Sequence, residues 1–426
     1  WVCVFVLFHF TAGPLGGCEP GGVGGSGSVG GSGLGGSGTG GVGGFGGGVC
    51  EDGTDCDADG LPGSCQEGSC VADPRWLAPE KISTDNDEDA FWPRVVLDDN
   101  GNGMVVWQQK SNEVYHIRAK RYSARGGWET AERISNGNGW AEAPRLAIDA
   151  AGHAIAVWNQ LDGAFQNIWA NTYLPTTGWG VAHRIEDNAG DAFYPDVAMS
   201  PAGAAMVVWR QSPDGDGYQN IWGRSYTPRG GWGTAMPVEL SERGSVNPKV
   251  AVDRNGDAIA VWGIFAFDGP RGVWSNRFTA NRAWGAVEQL NDPEVNAGAP
   301  EVAVDGDGNA LAVWTQGWGC SGTCNVWVSQ YAPIEGWGSA EAISEGGENS
   351  VSPRPAFDSA GRAMLMWIQA DEMGTNPWSN RYVPMEGWGH AALVEQTPAG
   401  ASGLSFALNS EGNAIGAWIE EGEPSS

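Results

Sequence analysis

Between Pro144 and Trp179, apolar and polar positions fall into four short runs separated by turn residues. They read Pro144-Arg-Leu-Ala-Ile-Asp149, then Ala154-Ile-Ala-Val-Trp158-Asn-Gln160, then Asn167-Ile-Trp169-Ala-Asn-Thr-Tyr173, then Gly178-Trp179 with the residues to Ile185. No run keeps the helical period over a helix's length, so each predicts a strand. The second run is apolar at nearly every position, which a strand buried on both faces requires. Its alanines let a neighbouring sheet approach closely on one side, and Trp158 fills the wider gap.

The same text recurs from about residue 76 to the end. A Gly-Trp column falls at Trp128, Trp179, Trp232, Trp284, Trp337 and Trp388, with Trp76 as an earlier variant, in steps of 51 to 53 residues. Pro93, Pro144, Pro195, Pro248, Pro300 and Pro353 each stand fourteen residues before a second column, Trp107, Trp158, Trp209, Trp262, Trp314 and Trp367, and Leu404 with Trp418 makes a seventh pair. So regular a period means one supersecondary unit copied in an array. Four-stranded sheets packed face to face around an axis bury their second strands this way, and radial closure protects the sheet edges. The expected fold is all-β, a seven-bladed β-propeller of four-stranded blades. The seventh copy stops after its second strand, whereas a spare fourth strand, Trp76 to Ile82, precedes the first. An N-terminal strand donated to the last blade would close the ring, with its third strand drawn from Gly68 to Ala72. A six-bladed ring with extra strands is the competing count.

Tyr122 and Trp128, Tyr173 and Trp179, Tyr226 and Trp232, Tyr331 and Trp337, and Tyr382 and Trp388 are each six apart, with Phe278 and Trp284 as a variant. Pro175, Pro228, Pro333 and Pro384 lie two beyond the aromatic. In this spacing and in a length near fifty the repeat resembles kelch-type propeller repeats, although their diglycine is replaced by Trp-x-Gln. The resemblance implies the propeller fold and carries no activity. The Asp-box motif of sialidase-type propellers is not reproduced.

Residues 1–18 read as an exported leader whose start is truncated, since no initiator Met or basic segment precedes the apolar run. The run ends at Leu15-Gly-Gly-Cys18, which resembles a bacterial lipobox and implies lipid modification of Cys18 at an outer membrane or cell surface. Residues 19–49 are nearly all Gly and Ser, a flexible tether. Residues 50–72 hold Cys50, Cys56, Cys65 and Cys70, which in an exported chain predict two disulfides stapling a coreless segment. A zinc site would need short paired ligand spacings that these lack. Residues 73–426 make up the propeller.

Charge narrows the partners. The net charge is −28 over 426 residues with only four Lys, which argues against a nucleic-acid or anionic-membrane surface and leaves the lipid as the membrane contact. A monomer that meets an extracellular glycan or protein fits this surface. The five His share no column and no metal or triad spacing, so the expectation is a non-catalytic recognition or scaffold module. The alternative is a propeller enzyme (glycoside hydrolase, lyase or sialidase-like) acting on polysaccharide. No cofactor is called for. Calcium is the competing reading of Asp98-x-Asn100-x-Asn102 and its relatives, where oxygens alternate, but an Asp opening a Gly turn accounts for every copy.

The connections from fourth to first strand and from second to third emerge on one face and vary. Variable loops on a rigid scaffold are where ligand contacts concentrate. That face should carry Phe91, Trp92, Trp140, Phe193, Tyr194, Phe265, Phe267 and Trp318. Cys320 and Cys324 predict a local disulfide in one of its loops. Gln109, Gln160, Gln211, Gln316 and Gln369 should satisfy loop backbone groups near the channel mouth.

Overall fold

The structure is a computed structural model. It describes residues 90–420 except 99, 138, 188–189, 213–217, 242–243, 266–269, 281–282, 318–323, 345–348, 372–373, 396–399, 409–411 and 413, with Ile82 and the backbone of four earlier strands. The chain divides into two compact units, Trp1–Phe8 with Pro79–Ser426, and His9–Ala78. The smaller unit holds one antiparallel sheet, Asp55–Ala58, Leu61–Gln66 and Ser69–Ala72, in which Cys65 lies directly opposite Cys70.

The larger unit is a seven-bladed β-propeller. Blade two shows the pattern: Ala141–Ile148, Ala154–Asp162, Phe165–Leu174 and Gly178–Trp179 follow one another as a meander, and His183–Arg184 continues the outer edge. Four further blades begin at Ala90, Ala192, Ala297 and Ser350 and repeat this order, and in a fifth, from Gly244, the Gly-Trp strand is reduced to a single bridge between Phe278 and Trp284. The six-residue Tyr-to-Trp spacing is the hairpin register itself. Tyr173 pairs with Trp179 across the turn, their rings edge to face at 5.6 Å.

The seventh sheet has Ala401–Leu408 and Ala414–Glu420, and its third place is taken by Val4–Phe8, antiparallel to the latter. An N-terminal strand therefore joins the last blade, but not the one expected. Ser69–Ala72 pairs locally with Leu61–Gln66, a short closure that costs less chain entropy than reaching the last blade. Residues 76–81 of the proposed fourth strand lie outside the described residues. The five residues that form the added strand sit within the segment read as a leader, and removal of that leader would remove the strand.

Six core clusters fill the six walls between consecutive blades. Trp107, Trp158, Trp209, Trp262, Trp314 and Trp367 are the largest fully buried side chains, with Ala154 and Ala156 making room beside Trp158. Each such ring removes roughly 200 Å² from water, about 5 kcal/mol before conformational entropy is counted. The first strand of blade one differs from that of blade two. Val95 and Leu97 on the first strand of blade one are 65% and 59% exposed, whereas Leu146, the counterpart of Val95 in blade two, is 8% exposed.

Candidate ligand-binding face

One end of the propeller is uniform. Asp98, Asp149, Asp253, Asp305 and Asp358 open the turns between first and second strands, and Oδ1 of each accepts the N–H groups two and four residues on, at 2.8–3.0 Å. The turn glycine takes positive φ, +82° at Gly152. The Asp oxygens that a calcium loop would present are thus engaged with their own backbone, and the turn reading is the one the structure bears out.

At the opposite end every first strand carries a β-bulge just ahead of its proline column. Trp92, Ala143, Tyr194, Asn247, Ala299 and Ser352 have φ between +49° and +56°, and the register slips there in each blade. Left-handed backbone on a non-glycine residue costs on the order of 1–3 kcal/mol, and bulges re-aim side chains. Here they leave Trp92 and Tyr194 about half exposed, at 50% and 48%.

The sequence-predicted aromatics form separate clusters. Phe91 and Trp140, both exposed, are joined by Tyr115, with ring centroids 6.2 and 5.6 Å from it. Phe193 and Tyr194 lie under the Arg210 guanidinium at 5.5 and 4.9 Å, and Phe265 under that of Arg271 at 4.2 Å. No ring contact among the described residues links these clusters, so they do not make one pocket. Trp318, Phe267 and Cys320 lie outside the described residues; Cys324 is buried at the start of its strand. Tyr115 and Arg210 escape sequence reasoning because each meets its partners across strands.

Beneath the mouth, the residue after each column proline is charged in six blades: Arg94, Arg145, Asp196, Lys249, Glu301 and Arg354. Arg145 Nε lies 3.5 Å from Asp196, and Glu301 takes Lys249 Nζ at 3.1 Å and Arg354 Nη1 at 2.6 Å. Asp196 Oδ2 also accepts the Val250 N–H. Burial, partly offset by Lys249 and Arg145, raises the Asp196 pKa. The Arg94 side chain is exposed, but desolvation by the protein beside it, reinforced by Arg145, lowers the guanidinium to about 10, with Asp196, Glu301 and Arg354 also acting on it, so blades one, two, three, five and six converge on one axis. The only signal for this ring in the sequence is a charge at a fixed step after proline, with its sign changing from copy to copy.

The glutamine column also serves the buried tryptophans. Gln109, Gln160, Gln211, Gln316 and Gln369 each accept the indole N–H of the buried Trp two residues earlier, at 2.9–3.0 Å. Gln160 also donates to a loop carbonyl, that of Asn136, as the sequence suggests. His116, buried beside Arg133 and Arg118, is lowered to about 4, chiefly by burial, and is neutral at neutral pH. No group of His, Cys, Asp and Glu able to hold a metal occurs among the described residues. A recess of about 910 Å³ is lined by Asp305, Tyr331, Trp337 and Tyr382, column residues that recur at other walls. It reads as a groove of the repeat.

No protein-family model matches the chain, and no curated protein matches it in sequence. Among solved structures it is similar to an ulvan lyase, described as a new family of polysaccharide lyase, with 11% identity and a TM-score of 0.50 over 76% of this chain and 91% of that one. It is also similar to a protein of unknown function from Dyadobacter fermentans, at 12% identity and a TM-score of 0.44 over 80% of this chain and 97% of that one. A third is the α-L-arabinanase of Penicillium chrysogenum with arabinobiose, at 13% and 0.42 over 78% and 93%. At such identities the likeness shows the fold alone.

Proposed function

We propose that this chain is an exported propeller, lipid-anchored through Cys18, whose loop face recognises an extracellular polysaccharide. The observation that carries this reading is the Phe91–Tyr115–Trp140 cluster, with two rings open to solvent on a rigid scaffold. Flat apolar faces stack on sugar rings, and edge-to-face neighbours hold them in place at little entropic cost. A glycan array probed with the purified full chain tests it. Signal confined to one polysaccharide class, weakened about tenfold by Trp140→Ala, is expected; flat signal across neutral and charged sugars overturns it.

A second reading is a polysaccharide-processing enzyme on the same face. It draws support from the propeller shared with the ulvan lyase and from Asp196, a carboxyl with a raised pKa on the same axis as Glu301. A carboxyl that holds its proton beside a second carboxyl is what acid–base cleavage of a glycosidic bond needs. New reducing ends released from a bound polysaccharide, and their loss in Asp196→Asn, would establish it; intact ligand after prolonged incubation would remove it.

A further inference from the structure

The chain as a whole is strongly acidic, at −28, yet the ring of residues around its axis is not. Four cations, Arg94, Arg145, Lys249 and Arg354, stand there against two carboxylates, leaving two positive charges at the convergence of the blades. The seventh place is the neutral Ser405. Both carboxylates are committed, Asp196 to Arg145 and the Val250 N–H, Glu301 to Lys249 and Arg354.

Arg94 has no such partner. Among the described residues no carboxylate lies within ion-pair distance of it, and its hydrogen bond goes to the carbonyl of its own Pro93, at 3.0 Å. Arg145 and Arg354 make the same bond to Pro144 and Pro353, so the three guanidiniums share a side-chain course. Among the described residues no further acceptor meets the exposed Arg94 guanidinium, and it lies two residues from the exposed bulge residue Trp92. A second cation on this face, Arg210, has a buried Nε without a hydrogen-bond acceptor.

We infer that the channel mouth takes an anionic group, a carboxylate or sulfate carried by an acidic polysaccharide, with Arg94 as its primary contact. A guanidinium presents a fork of N–H donors that matches both oxyanions bidentately. Although Arg94 is exposed, its surroundings already disfavour its charge, through partial desolvation by the neighbouring protein and through Arg145 and Arg354. An incoming anion therefore gains more here than at an isolated surface arginine. The surrounding acidic surface repels polyanions at long range, so selectivity for one would have to come from this local ring. The inference rests on the polysaccharide reading above and names the chemistry of its ligand.

The full chain is titrated calorimetrically with polygalacturonate, a sulfated polysaccharide and neutral arabinan, at about 0.15 M salt, where screening beyond roughly 8 Å leaves mainly local contacts. At least one acidic polymer is expected to bind about tenfold tighter than arabinan, and the two acidic arms tell carboxylate from sulfate. Arg94→Gln should abolish that preference, Arg94→Lys should restore part of it, and Arg229→Gln, which removes the same charge from an exposed turn, should leave it intact. Arg94→Gln is expected to melt as the parent does, since one bond to a neighbouring carbonyl is lost. Equal binding of acidic and neutral polymers, or a preference that survives Arg94→Gln, overturns the anion site while leaving glycan recognition standing. Failure of all three polymers to bind overturns both.

Discussion

The two ends of the propeller solve similar backbone problems in different ways. At the turn end, five of the first six blades use Asp, and its second oxygen also shapes the next blade: a Cβ on Gly203 would come within 2.9 Å of Asp149 Oδ2, and one on Gly412 within 3.0 Å of Asp358 Oδ2. The geometry leaves room for one solution. At the loop end, an outward N–H of the third strand in blades one to five needs an acceptor, and any will do; in blade six Pro377 stands at that post and has no N–H. Ser135, Glu186, Glu239, Asn291 and Ser344 serve in turn, eighteen residues beyond Ile117, Ile168, Ile221, Val273 and Val326, at 2.8–3.2 Å. An end that tolerates serine, glutamate or asparagine at one post can vary its loops without losing the sheet. That freedom is what a recognition surface requires.

The sharpest test of this contrast uses pH. Glu186 caps Ile168 from a fully buried position, and burial, partly offset by backbone hydrogen bonds and Arg184, raises its pKa to about 7. A carboxyl raised in the folded state binds its proton there while the unfolded chain has released it. Its contribution is therefore complete below pH about 4.5 and is lost as pH rises through about 7, a change on the order of 3 kcal/mol. Denaturant melts of the parent and Glu186→Gln from pH 4 to 8 should show the parent losing stability of that order relative to the variant as pH rises, two proteins that are alike near pH 4 drawing apart by pH 8. Equal pH profiles would mean that the loop-end caps are interchangeable in energy as well as in geometry.

How far the sequence reveals this molecule depends on whether a feature repeats. Trp158 and its column predict the buried second strand because every copy poses the same packing problem, and the Tyr173–Trp179 interval encodes a hairpin register. The axial ring repeats in position but not in sign: Arg94, Asp196 and Glu301 look unrelated until the first strands converge. Tyr115 is invisible as a site residue because only folding brings it between Phe91 and Trp140, from different strands. Val4–Phe8 belongs to no copy, so nothing in the period points to it. Local pairing of Ser69–Ala72 overrides the longer-range partnership that counting strands suggests.

The uniform end should answer mutation differently. Asp149→Ala strips the acceptor from the Ala151 and His153 N–H groups and from the His153 ring, and should cost about 2 kcal/mol. Asp149→Asn keeps Oδ1 and should cost less than half of that in a chemical denaturation series. Blade three already contains a weaker version, in which Ser200 Oγ meets only the Ala204 N–H, at 3.1 Å. Equal losses for Ala and Asn would show that the charge, not the acceptor geometry, fixes the turn.

The smallest expected effect concerns the layer between the two ends. The buried Trp158 indole donates to Gln160, but Trp262 is followed by Gly263 and Ile264, and its indole nitrogen, like that of Trp418, has no acceptor. The fold therefore tolerates an unmet indole N–H at this post, and Gln160→Leu should cost only about 1 kcal/mol, near the net worth of a hydrogen bond. Ile264→Gln supplies the missing acceptor yet gives up a side chain that is 6% exposed, so its two terms oppose and stability should move by less than about 1 kcal/mol. If Gln160→Leu instead unfolds the chain, the glutamine column secures its blade through more than the indole, and the loop end is less free to vary than its mixture of caps implies.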